Sequence, residues 1–260
     1  MNYDKISSVK RWGSFLYLLA SLYASAESIY HVNPLVSGSV TLAGTAATII
    51  PYAFASKWIR LRCPCDPHEV NGFDRGAIGN SSSTAATLSD GLLGAAILLP
   101  VLMDWRVLGP GKELFEDYAV YAETLAVSSG LVSIIKVAVE RPIPRSYSGD
   151  PEATQNFDGY RSFYSGHATL AVSALSAASF TIGRRYGSSA WPWIVTGGVG
   201  VAISAARVAA GNHFYTDVIV GMGVGAMIGT AIPWLHAVSG GEIALLPNAG
   251  GFQIAWGKSL

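Results

Sequence analysis

Charge is scarce in this chain. Its 260 residues carry 17 Lys and Arg against 17 Asp and Glu, 13% of the sequence in all, for a formal net charge of zero. A nucleic-acid partner needs a basic face to neutralise its phosphates, and this composition supplies none. Cysteine is scarcer still: Cys63 and Cys65 are the only two, in "RLRCPCDPHE". A disulfide closed over a single proline is expected to be strained, and two thiols alone make a poor zinc site. Neither a disulfide framework nor a metal centre follows, and no cofactor is expected. No repeat of fixed period and no low-complexity tract is present. A Gly-rich nucleotide loop, a metalloprotease helix and a G-x-S-x-G elbow are missing too, which removes the commonest hydrolase chemistries.

Apolar and small residues are what the chain has in quantity. Half of it is hydrophobic, with 29 glycines. Six segments, roughly 36–57, 86–104, 116–139, 167–184, 191–209 and 214–236, are rich in Ala, Gly, Ser, Val, Leu and Ile and lack strand alternation. They predict an all-α six-helix bundle, read as integral to a membrane, although composition alone leaves a tightly packed soluble helical protein open. Small-residue runs such as "VGMGVGAMIG" suit close helix packing there. The N-terminus combines Lys5, Lys10 and Arg11, an apolar run from Trp12 to Tyr23, and Ala24-Ser25-Ala26. Those are the parts of a signal peptide, so 1–26 reads as a cleaved leader or an N-terminal anchor. The helical domain would occupy 27–240. The tail, 241–260, reads as two short extended pieces around Asn248-Ala249-Gly250-Gly251.

Three polar clusters interrupt this apolar chain. In "SFYSGHATLAVS", Ser165-Gly166-His167 stands where a helix begins. Free N–H groups and the helix dipole make such a terminus an anion site, and Gly lets the anion approach. The blander reading makes Ser165 an N-cap. In "SAARVAAGNHFYTDVIVG", Arg207 and His213 flank a break, with Asp217 four residues beyond. If the helix has begun by His213, the two share a face within hydrogen-bonding reach. A carboxylate on one imidazole nitrogen would leave the other as nucleophile or base. In "IIKVAVERPIPRSYSGD", Lys136 lies in an apolar helix, with Arg141 and Arg145 past its end. A purely structural account pairs Lys136 with Glu140 and solvates the arginines. Taken together, the cations, the helix N-terminus, two histidines and a carboxylate suit a phosphoryl group. Cations would hold its oxygens, one His would attack phosphorus, and the other would protonate the leaving oxygen.

The same residues resemble the type 2 phosphatidic acid phosphatase superfamily, whose signature is K-x6-R-P, then P-S-G-H, then S-R-x5-H-x3-D. Arg207, His213 and Asp217 match the third part, with Ala206 in place of Ser; Tyr164-Ser165-Gly166-His167 matches the second, with Tyr for Pro. In the first part Lys136 and Pro144 fit, but Ile143 stands where the pattern has arginine. The resemblance implies His213 as the phosphate-accepting nucleophile, Asp217 as its orienter and His167 as general acid. It implies Lys136, Arg207, Ser165 and Gly166 as the phosphate grip, with Arg141 or Arg145 filling the gap left by Ile143. The activity implied is metal-independent hydrolysis of phosphate monoesters or pyrophosphates, with a phosphorylated lipid or polyprenyl pyrophosphate as the expected substrate.

A bacterial-type cell envelope, membrane-embedded or periplasmic, is the location this implies. Two relatives in the superfamily remain open as alternatives, a soluble periplasmic acid phosphatase and a vanadate-dependent peroxidase. A third alternative, suggested by Ile143, is a catalytically weak or inactive membrane protein that binds phosphorylated lipid. Lys57, Arg60 and Arg62 favour an inside location for the polar helix ends, while Arg184 and Arg185 favour the opposite end.

Overall fold

The computed structural model describes residues 28–238, 242–248 and 251–257. The signal-like segment 1–26 lies outside them. Seven helices follow in order: α1 Pro34–Trp58, α2 Ser83–Leu108, α3 Lys112–Val139, α4 Pro151–Gln155, α5 Gly166–Tyr186, α6 Trp191–Ala209 and α7 Tyr215–His236. Six are long. The extra one corrects the six-helix expectation: α4 is a five-residue turn in the α3–α5 connection, capped by Asp150 and started by Pro151. An antiparallel hairpin, β1 Glu242–Asn248 with β2 Gly251–Gly257, follows the helices.

The long helices run up and down, so the ends of α1, α3 and α6 meet the starts of α2, α5 and α7 at one end of the bundle. Helix α5 is the hub, packed against α2, α3, α6 and α7. Its inward residues are small, among them Ala168, Ala171, Ala174 and Ala177, each buried. Helix α7 approaches it through three glycines one turn apart. A Cβ on Gly221, Gly225 or Gly229 would stand 2.8, 2.4 or 2.3 Å from the carbonyl oxygens of Ser165, Thr169 and Ser173. The glycines therefore bring two helix backbones into contact, as small-residue stripes do in membrane bundles.

Among the described residues, five helical stretches are long and apolar enough to cross a membrane: Pro34–Trp58, Ser83–Leu108, part of Lys112–Ser148, Trp191–Ala209 and Tyr215–His236. Between 11% and 39% of each apolar window is buried in the protein, so most of that apolar surface points outward. Leu42 and Ile194 are 72% and 71% exposed. In water this belt would be costly; in a bilayer it is the expected exterior. Helix α5 is not among the five, because its neighbours cover it and its serines and threonines face protein.

The end away from the polar helix starts is closed by buried ion pairs. Arg185 donates to Asp117 at 2.6 Å, and His236 meets Glu123 at 3.1 Å. Arg185 thus spends its charge inside the protein. Cys63 and Cys65 are joined by a disulfide, contrary to the sequence expectation. The tight Cys-Pro-Cys turn brings their Cα atoms to 4.4 Å, the short limit of the usual range.

Candidate active site

Residues of α1, α2, α3, α5 and α6, with the α3–α5 and α6–α7 connections, surround a cavity of about 520 Å³. Lys136, Arg145, Gly166, His167, Arg207 and His213 line it. Residues from three separate clusters, spread over nearly 80 positions of sequence, therefore share one chamber. One part of its wall is apolar, made by Leu93, Val132 and Leu170; another is hydroxyl-rich, from Thr48, Ser129 and Ser133.

His213 sits in the short break between α6 and α7, 3% exposed. Its Nδ1–H donates to the Ser162 carbonyl at 2.7 Å. Burial pushes its pKa down to about 3; the Asp217 carboxylate opposes that shift, while the positive charge of Lys136 adds to it. A neutral imidazole whose Nδ1 holds the proton carries its lone pair on Nε2. His213 is thus a neutral imidazole on the cavity wall.

Asp217 does not bond His213 as the i, i+4 spacing predicts. The helix begins only at Tyr215, so His213 lies before it, and the carboxylate is 3.7 Å from Nδ1. Asp217 instead accepts from Ser162 Oγ, from the Phe214 N–H at 2.9 Å and from Arg141 Nη1. It fixes the Ser162 segment whose carbonyl orients the histidine, and its charge acts on the imidazole across the remaining gap.

Arg141 is also not where the sequence analysis expects it. Its guanidinium donates to Asp74 at 2.8 Å and to Asp217, lies over the Phe214 ring at 4.1 Å, and does not line the cavity. Both carboxylates are fully buried and pair with its guanidinium. Burial alone would raise the pKa of Asp74, but hydrogen bonds from Arg141, Thr216 and Asn71 hold it below the usual carboxylate range. Ser165 is likewise displaced from its expected role. It is fully buried, and its Oγ caps α5 by accepting from the Ala168 N–H. The blander N-cap reading applies to its side chain, and Gly166 alone of that pair faces the cavity.

The other expected residues face inward. Lys136 donates to the Arg161 carbonyl rather than to Glu140, which pairs with Arg62 at 2.8 Å. Arg145 lines the cavity and is held by Asp150 at 3.4 Å. A Cβ on Gly166 would stand 3.3 Å from Val132 and 3.9 Å from the Lys136 stem, so glycine keeps the approach to the first turn of α5 clear. His167 Nε2 is 2.7 Å from Asp90 Oδ1, and Arg207 Nη1 is 3.5 Å from the same oxygen.

Sequence reasoning missed Asp74, Asp90, Arg161 and Ser162. Asp90 is an acid in an apolar helical run, a signal that a buried or paired charge was needed. Arg161 and Ser162 lie two or three residues before the Tyr164-Ser165-Gly166-His167 motif, where proximity was the available clue.

Residues 117–240 match the family model of the PAP2 superfamily. The comparison with curated proteins returns no match. Among solved structures, the first transmembrane PAP2 type phosphatidylglycerolphosphate phosphatase from Bacillus subtilis aligns at 16% identity with a TM-score of 0.44. That alignment covers 76% of this chain and 93% of the other.

Proposed function

With residues 117–240 in the PAP2 superfamily, we propose that this chain is a membrane phosphatase of lipid phosphates or pyrophosphates that works through a phosphohistidine. The observation that carries the reading is His213, neutral and pinned through Nδ1, on the wall of a cavity lined by Lys136, Arg145 and Arg207. A lone pair held in place beside concentrated positive charge supplies both a nucleophile and a phosphate grip. The outward apolar belt supports a lipid substrate, since it sets the cavity at the end of a bilayer-spanning bundle.

In the proposed reaction Lys136, Arg145, Arg207 and the first-turn amides of α5 hold the phosphate oxygens. The lone pair of His213 Nε2 forms a bond to phosphorus. The bond from phosphorus to the leaving oxygen breaks, and that oxygen takes a proton from His167. Water then attacks phosphorus, gives a proton back to His167, and the P–N bond breaks to release phosphate. Asp90 stabilises the protonated form of His167 before the first step and after the second. As an acid near both His167 and Arg207, it occupies the contacts that a phosphate oxygen would take over. Its carboxylate is 62% exposed, leaving it room to withdraw.

The test is phosphate release from a panel of lipid phosphates and pyrophosphates in detergent, with EDTA present, comparing the protein with His213→Ala. The proposal expects release that survives chelation and vanishes in the variant. Vanadate-dependent halide oxidation in place of release would favour the peroxidase branch. Binding of phosphorylated lipid without release would favour the non-catalytic alternative.

A further inference from the structure

Ile143 is the departure from the family pattern that most weakens the phosphate grip. It is 7% exposed and lines the cavity with an aliphatic side chain where the pattern has a guanidinium. The sequence offers Arg141 and Arg145 as replacements. Arg141 is committed to Asp74 and Asp217, and Arg145 reaches the cavity as expected. A further arginine faces the same chamber: Arg161, 11% exposed, which no signature motif includes.

Its surroundings are those of an anion ligand. The backbone at this point is tied to the reacting groups on both sides. Lys136 donates to the Arg161 carbonyl, His213 donates to the next carbonyl, that of Ser162, and the Ser162 hydroxyl donates to Asp217. The guanidinium lies 4.8 Å from the Tyr52 ring centre, an aromatic face that sets its plane without using its donors. Its one ionic partner among the described residues, Asp158 at 3.1 Å, is 53% exposed, a weak surface pair that a phosphate can replace. The Nε atoms of Arg145, Arg161 and Arg207 are all buried, and none has a hydrogen-bond partner among the described residues. Three guanidinium groups with unused buried donors line one cavity, and planar guanidinium is the side chain best matched to paired phosphate oxygens.

We infer that Arg161 binds the substrate phosphate and takes over the role of the arginine that Ile143 displaces. The inference rests on the proposed phosphatase reading for its substrate, but its direct readout is anion affinity. Orthophosphate and vanadate serve as probes. Their affinities come from thermal protection of the purified protein in detergent, alongside KM and kcat for lipid phosphate release. Arg161→Ala is expected to weaken phosphate protection and raise KM by tenfold or more, and Arg161→Lys to fall between. Adding Ile143→Arg to Arg161→Ala is expected to recover most of the lost affinity.

Wild-type phosphate affinity in a folded Arg161→Ala protein would overturn the inference. So would an equal loss with and without Ile143→Arg. If Arg161→Ala does not fold, Arg161→Lys decides: wild-type affinity and KM in that variant count against the inference, and a several-fold loss of both supports it. Arg161-dependent phosphate protection without any phosphate release would leave the inference standing and remove the phosphatase reading. Release with Arg161-independent affinity would do the reverse.

Discussion

Replacing Arg141 with alanine separates a strut from a phosphate ligand. The side chain bridges Asp74 and Asp217, both fully buried, and covers the Phe214 ring. Removing it leaves two carboxylates in a dry interior with only neutral donors around them. Breaking a buried pair by deleting one partner costs about 3–5 kcal/mol. The lost cation–π contact adds about 0.5–2 kcal/mol. Arg141 retains some exposure, which places the expected loss near the lower end, about 3 kcal/mol, or an apparent melting temperature lower by roughly 10 °C. The loss should shrink in mild acid. Asp74 loses its main cation in the variant, so burial raises its pKa, and protonation as the pH falls relieves the unpaired charge. The assay is a thermal melt in detergent at pH 7 and pH 5, with the vanadate inhibition constant measured at a temperature where the variant is folded. The strut account expects a large loss of stability, a lower kcat through the Asp217–Ser162–His213 contacts, and vanadate affinity within about threefold of the parent. An unchanged melting temperature with vanadate binding weakened tenfold would refute it and return Arg141 to the phosphate.

Three other outcomes follow from the same geometry. Asp90→Asn removes the carboxylate 2.7 Å from His167, so the alkaline limb of the pH–rate profile should move to lower pH, while KM falls because Arg207 loses a competing anion; an unmoved profile would mean that Asp90 does not touch the acid. Stability should fall as pH drops below about 6.5, because the unfolded chain then protonates His213 while the folded chain, with its pKa near 3, does not. The slope attributable to this one group approaches about 1.4 kcal/mol per pH unit, and His213→Gln should flatten a melting-temperature series from pH 7 to 4.5. Gly211 has φ +69°, and a Cβ there would stand 2.0 Å from the Asn80 carbonyl oxygen and 2.6 Å from Arg145 Cγ. Gly211→Ala should therefore destabilise the protein by about 1–3 kcal/mol and raise KM by displacing Arg145; a wild-type KM would separate Arg145 from the phosphate.

The helices were legible because each is a run of apolar and small residues long enough to outweigh local ambiguity. The placing of Lys136, His167, Arg207 and His213 around one cavity was legible from their positions at helix ends. Contacts set by tertiary packing were not. Arg141 finds Asp74 and Asp217 at separations of 67 and 76 residues, and nothing in a local window announces either. The i, i+4 spacing of His213 and Asp217 misled because it assumes a helix through both, whereas the chain enters α7 two residues later. Helix α5 shows what a purely apolar pattern misses: a helix surrounded by others can carry serine and threonine on its buried faces. The short α4 was readable in principle from Asp150-Pro151, an N-cap followed by a first-turn proline.

The central claim is that phosphorus becomes bonded to His213, and the direct measurement is rapid quenching of the protein with a phosphate-labelled lipid substrate. The account predicts label on the protein that survives alkali and is lost in acid, as a phosphorus–nitrogen bond requires. It maps the label to residue 213, and predicts that it is missing from His213→Ala. Turnover without any labelled protein, or label that persists in His213→Ala, would contradict it.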